Sequence, residues 1–437
     1  MSWDDNSSGE STGRAGFAAP TIDALTIAEL RANGSLKWLD YAANAPGHDS
    51  SGDAVTGYLS AKTWDNDVIG AFVAEMDFGT APAVTKALTE AVTKYQYGYL
   101  PKHLELDFRR AFCEFAGRRY GWAVAPRQVR HIPDVLAGIE AVVRIFMPDD
   151  APIILPTPTY MPFLPLFHDL GKTVIQVPMI QDESGRYLND LAGIAAAFQA
   201  GAMWLVLVNP HNPTGRVLSR VELQDLAALV TKHDGRVLAD EIHAPLVYPG
   251  QQHIPYASLS PITASQTITA VSASKAWNLA GLKAAQLIIT NSEDLALWRR
   301  KGGWVEHMTA TLGVIASIAA YDKGEAWLAE VLGYLAENRQ LLSDYLATEL
   351  PYIGFYPPEG TYLAWLDLRN TNANTNAIPP DNAASLLLEQ AGVAVTDGRE
   401  CGPAGKGFVR LNFATPRPIL QEALGRIAGV LHPSGPG

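Results

Sequence analysis

Cysteine is nearly missing from this chain: Cys113 and Cys401 are two among 437 residues, too few for a disulfide framework and in no metal-ligand spacing with histidines. Positive charge is short as well. With 33 Lys and Arg against 45 Asp and Glu, the formal net charge is −12, which argues against nucleic acid or an anionic membrane surface as a partner. No apolar run approaches bilayer-spanning length, and the polar, acidic opening MSWDDNSSGESTGRAG lacks the basic start and apolar core of a signal peptide. There is no internal repeat, and the basic stripe of a DNA regulator is missing. A soluble cytoplasmic protein without a metal centre is expected.

What is present is a long chain, 48% hydrophobic, able to bury one large core and a smaller second one. WLVLV (204–208) and RVLAD (236–240) are short apolar runs that end in Pro- and Gly-marked loop or at a carboxylate, and both read as buried parallel strands. Between them VELQDLAALVTKH has helical spacing, with Ser219 and Glu222 placed as a capping box. TITAVSASK (267–275) adds another strand. Ligands of such sheets bind outside the carboxyl ends of the strands, which puts Asn212, Asp240 and Lys275 on one rim.

Those three residue types have complementary chemistry toward pyridoxal 5'-phosphate. A lysine amine can condense with the cofactor aldehyde and then serve as a base beside the substrate α-carbon, and Lys275 is the candidate. A carboxylate facing the pyridine nitrogen keeps that nitrogen protonated, since an opposite charge shifts a pKa by ~1–3 units; Asp240 fits. An amide can donate to the phenolic oxygen, a role for Asn212 in preference to Asn209. Each residue alone has an ordinary reading, as a surface lysine, a helix cap or a loop amide. The case rests on the set.

The chain resembles fold-type I pyridoxal phosphate enzymes, the aspartate aminotransferase superfamily, and within it the MalY/PatB group of carbon–sulfur lyases. The likeness is carried by LRANGSLKW, AEMDFGTAPAV (74–84), YGY (97–99), PTYMPF (158–163), NPHNPTGRV, ADEIHAPLVYPG, SKAWNLAGL, GTYLAWLDLR (360–369) and VRLNFATPR (409–417). It implies an α/β fold: a large cofactor-binding domain over 82–312 with a mostly parallel sheet flanked by helices, and a smaller α+β domain from 21–81 and 313–437. Residues 1–20 are expected to form a flexible tail. The stretch 43–57 looks like an insertion, 369–382 an asparagine-rich loop and PSGPG a frayed end.

The resemblance also assigns further residues. Ser272 and Ser274 approach the cofactor phosphate; Lys283 stands where many relatives place an arginine, giving a point charge in place of a fork. Asp134, Val135 and Leu136 fall where the family offers backbone N–H groups at a helix start. A carboxylate there requires either that Asp134 turn away as an N-cap or that the loop be placed one residue differently. Tyr160 corresponds to the aromatic that stacks on the ring, with core packing as the other reading, and His243 stands where transaminases carry a tyrosine. Tyr99, with Tyr97 as second choice, is the residue lent to a neighbouring subunit's phosphate, so a homodimer is implied. Arg410 is assigned to the substrate α-carboxylate. The implied reaction is α,β-elimination on L-cystathionine or cysteine S-conjugates, giving thiol, pyruvate and ammonia. Transamination is the chief alternative, and an additional regulatory role by protein binding a minor one.

Overall fold

The computed structural model describes residues 19–38, 68–370 and 382–431. Residues 1–18 of the expected tail, the whole 43–57 stretch, residues 371–381 of the asparagine-rich loop and the PSGPG end lie outside the described residues.

Seven strands form the principal sheet: β1 Val129–Ile132, β2 Ile153–Thr157, β3 Val174–Pro178, β4 Trp204–Val208, β5 Arg236–Asp240, β6 Thr267–Val271 and β7 Ala285–Ile289. Their order is β3-β2-β4-β5-β6-β7-β1. Only β7 runs against its neighbours; the remaining pairs are parallel. The central strands read as continuous apolar runs because both of their faces are covered. The pleat divides β4 accordingly: Trp204, Val206 and Val208 enter one core, whereas Leu205 and Leu207 enter the other. Helix α1 (Val135–Phe146) covers the first face through Ile139 and Val142. Helices α2 (Leu191–Gln199) and α3 (Arg220–Lys232) cover the second through Ile194, Leu223 and Leu226. The capping box expected before α3 is formed, with Ser219 and Glu222 each bonding the other's backbone N–H.

A second, antiparallel sheet has the order β8-β9-β11-β10, comprising β8 Gly354–Phe355, β9 Leu363–Asp367, β10 Thr396–Asp397 and β11 Phe408–Asn412. Ile69–Gly70 pairs in parallel with Val393–Ala394, which brings the early chain against the late chain. Gly70 is required there: a Cβ would stand 1.8 Å from the Lys37 carbonyl oxygen. The long helices α4 (Glu325–Glu349) and α5 (Arg417–Leu431) share a core with this sheet through Leu335, Leu342, Leu420 and Ile427. Among the described residues no helix is long and apolar enough to cross a membrane.

Candidate active site

The parallel strands β4, β5 and β6 end on one rim. Asp240 closes β5, while Asn212 and Lys275 each follow a strand end within a short loop. A cavity of about 480 Å³ opens there, and Asn212, Asp240 and Lys275 all line it. The three residues that the sequence suggested would converge do so.

Asp240 is buried and accepts the Ile242 N–H at 3.1 Å. Burial pushes its carboxyl up to about 7, with Glu241 adding to the rise and Lys275 opposing it. Lys275 donates from Nζ to the Ala74 carbonyl at 2.9 Å. Its amine is brought down to about 8, first by burial and then by Arg410, so a substantial neutral fraction exists near neutrality. Asn212 Oδ1 accepts from Arg410 Nη1 at 3.0 Å. Asn209 has another task, its side-chain oxygen taking the Leu218 N–H at 3.0 Å. His243 is buried with Nδ1 lacking a partner, and burial, Lys275 and Arg410 bring its ring down to about 3. It is therefore neutral near pH 7.

Val135 and Leu136, which also line the cavity, open helix α1, whose first backbone N–H groups suit an anion. Asp134 is the N-cap of that helix, its carboxylate accepting the Ala137 N–H at 2.8 Å. Of the two readings left open by the sequence, the cap is what the structure shows. The same carboxylate receives Lys283 Nζ at 2.9 Å, and Lys283 itself occupies the left-handed region at φ 53°. Ser272 and Ser274 line the cavity beside it, the Ser272 hydroxyl donating to the Ala284 carbonyl at 2.9 Å and accepting the Ser274 N–H at 3.0 Å. Tyr160 also lines the cavity, its ring held edge-on against Phe163 at 5.4 Å between centroids.

Arg410 enters from β11 of the antiparallel sheet. Its Nη2 donates to the Phe72 carbonyl at 2.7 Å and to Thr396 Oγ1 at 3.1 Å, and its buried Nε has no partner. Tyr99 stands apart from the cavity. It is 87% exposed, beside His307 at 5.4 Å between ring centroids.

Sequence reasoning missed Thr396 and Glu400, which also line the cavity. They lie on a two-residue strand and a short turn, TDGREC, too brief to show periodicity. The pairing of Thr396 with Arg410 is a register fact. It missed as well how the segment around Val73–Met76 is held: Asn278 and Met76 exchange two hydrogen bonds at 3.0 and 2.9 Å, and Asn412 donates to the carbonyls of Val73 and Glu75.

A mostly parallel α/β sheet with an amine, an acid and an amide around a rim cavity, completed by an arginine from a second sheet, defines the architecture of a cofactor-dependent enzyme. The family model for aminotransferases of class I and II matches residues 67–427, and the chain belongs to that family. It is 38% identical over 370 residues to a cystathionine β-lyase of Corynebacterium glutamicum, covering 84% of this chain and 94% of the relative. It is 31% identical over 371 residues to the cystathionine β-lyase PatB of Bacillus subtilis, covering 84% and 93%. Among solved structures, a pyridoxal phosphate-bound C–S lyase from Staphylococcus hominis superposes with a TM-score of 0.77 at 32% identity, covering 84% of this chain and 94% of that one.

Proposed function

We propose that the chain is a pyridoxal 5'-phosphate-dependent carbon–sulfur β-lyase that converts L-cystathionine or a cysteine S-conjugate, with water, into a thiol, pyruvate and ammonia. The observation that carries this is the convergence of Lys275, Asp240 and Asn212 on one cavity, in a chain whose relatives include cystathionine β-lyases. The cavity suits the cofactor. It offers a buried acid, a helix start with two serines and a lysine, and two buried nitrogens, His243 Nδ1 and Arg410 Nε, without a hydrogen-bond partner.

When bound, the cofactor supplies the electron sink that lets a proton leave the substrate α-carbon and a thiolate leave the β-carbon. Asp240 would hold a proton on the ring nitrogen. Asn212, its oxygen occupied by Arg410, would have its amide donor left for the phenolic oxygen. Arg410 takes the α-carboxylate through Nε, fixing the α-hydrogen toward Lys275 Nζ, which accepts it. Tyr160 would flank the ring. Val135 and Leu136 N–H, Ser272, Ser274 and Lys283 would receive the phosphate, with the Asp134 carboxylate, which also lines the cavity, held by the Ala137 N–H and by Lys283.

A homodimer and a cytoplasmic location belong to the same reading. Tyr95, Tyr97, Tyr99, Trp304 and Met308 are large side chains left between 47% and 87% exposed, an apolar and aromatic surface of the kind a partner covers. A second copy placed there would bring Tyr99 toward its neighbour's phosphate site. The free thiols Cys113 and Cys401 suit a reducing compartment. The division into a large unit over 82–312 and a small one from the flanking segments is supported by the two sheets, each with its own helices.

Purified protein loaded with the cofactor and given cystathionine without any keto acid tests the reaction. Pyruvate and free thiol over many turnovers are expected; a single turnover that stalls would identify a transaminase instead.

A further inference from the structure

Glu400 is the acid of the cavity to which the reaction above gives no work. It sits on the turn Gly398–Cys401 and lines the same space as Arg410, Tyr160 and Lys275. Its Oε1 is buried without a hydrogen-bond partner, and among the described residues it forms no ion pair. Arg410 is close enough to favour its ionised form, as is the Asp397 backbone N–H, yet the guanidinium already serves Asn212, Phe72 and Thr396. Burial outweighs both and pushes the carboxyl up to about 7. An acid held in this way lacks a cation.

The rest of the cavity shows where that cation would come from. Three of the four substituents on the substrate α-carbon are placed: the carboxylate on Arg410, the amine on the cofactor side, the hydrogen toward Lys275. The fourth carries the sulfur and is left to the lining not yet assigned, to which Leu36, Phe72, Met161 and Val395 contribute apolar side chains and Glu400 a carboxyl.

Resting on the lyase reading, we infer that Glu400 is a specificity determinant that accepts an ammonium group on the departing half of the substrate, so that the enzyme selects thiols bearing a primary amine over neutral thiols of equal length. Cystathionine meets this requirement through the amine of its leaving half. A charge-assisted hydrogen bond is the interaction involved.

The matched pair S-(2-aminoethyl)-L-cysteine and S-propyl-L-cysteine, identical except for a terminal ammonium or methyl, tests the assignment on the cofactor-loaded enzyme. The unmodified protein should show a higher kcat/KM for the aminoethyl compound, and Glu400→Gln should reduce that preference by about tenfold or more, as loss of a hydrogen bond to a charged group implies. Equal use of both compounds by the unmodified enzyme overturns the inference, as does an equal fall for both in Glu400→Gln, the signature of a general acid or a structural role. If neither compound yields pyruvate and thiol, the lyase reading is what fails. Spectral titration of the loaded protein with each compound then still measures the preference, and a ratio of dissociation constants unmoved by Glu400→Gln refutes the role of Glu400.

Discussion

Arg410, on the antiparallel sheet, donates a hydrogen bond to the side-chain oxygen of Asn212, in the loop after β4, at 3.0 Å. The contact links the residue assigned to the substrate with one assigned to the cofactor ring. It also sets both orientations, because an amide whose oxygen is occupied presents its N–H groups elsewhere.

Asn212→Ala removes one support of a buried guanidinium and the donor to the phenolic oxygen together. A stability loss of about 1–2 kcal/mol is expected, with a rise in KM and a displaced absorbance maximum of the bound cofactor. Thermal melts and a spectrum of the loaded variant check it; an unchanged spectrum would remove Asn212 from the ring.

Lys275 governs capture of the cofactor. Since its amine is brought down to about 8, the rate at which cofactor-free protein takes up pyridoxal phosphate should climb with pH and level off above about 8. Lys275→Ala should fold, show no turnover, and yield no cofactor-linked peptide after borohydride reduction and mass spectrometry. A linked peptide at another lysine would displace the assignment.

Asp240 carries a stability signature of the opposite sense to an ion-paired acid. Its folded pKa of about 7 lies above the ordinary 3.8, so between those values the folded state retains a proton that the unfolded chain releases, and stability falls as pH rises through the window. Cofactor-free Asp240→Asn should therefore melt higher than the unmodified protein at pH 8 but not at pH 4. The loaded variant should lose roughly ten- to thousandfold in activity, given the ~1–3 pKa units an opposite charge supplies at the ring nitrogen.

Lys37 and Asp77 form a buried ion pair at 2.8 Å, with side chains 0% and 3% exposed. Trp38 Nε1 donates to the same carboxylate at 2.7 Å, and Lys37 also bonds the Ala414 carbonyl at 3.1 Å. Asp77→Ala would leave the lysine uncompensated and should cost about 3–5 kcal/mol, whereas Lys37→Met combined with Asp77→Leu should recover most of it. Denaturant titration of both proteins decides; equal losses would mean that the pair holds shape rather than charge.

Much of this protein was legible in its sequence because the relevant signals are local. The apolar runs of β4 and β5, the capping box at Ser219 and Glu222, and the short spacing from strand ends to Asn212 and Lys275 all follow from chain geometry over a few residues. Glu400, Thr396 and the Lys37–Asp77 pair were not legible. Their partners lie far along the chain, and no periodicity announces a contact made through the register of β10 with β11 or through a segment folding back across the molecule.

The order of residues thus determined on its own that an amine, an acid and an amide would stand at the ends of neighbouring parallel strands, since a strand–helix–strand unit returns each carboxyl end to the same edge. Only the tertiary structure decided which groups close the cavity from the other side, that Asp134 caps a helix while Arg410 reaches Asn212, and that one carboxylate is left unpaired inside. Those outcomes depend on desolvation and on distances between separate sheets, quantities that exist only once the chain has packed.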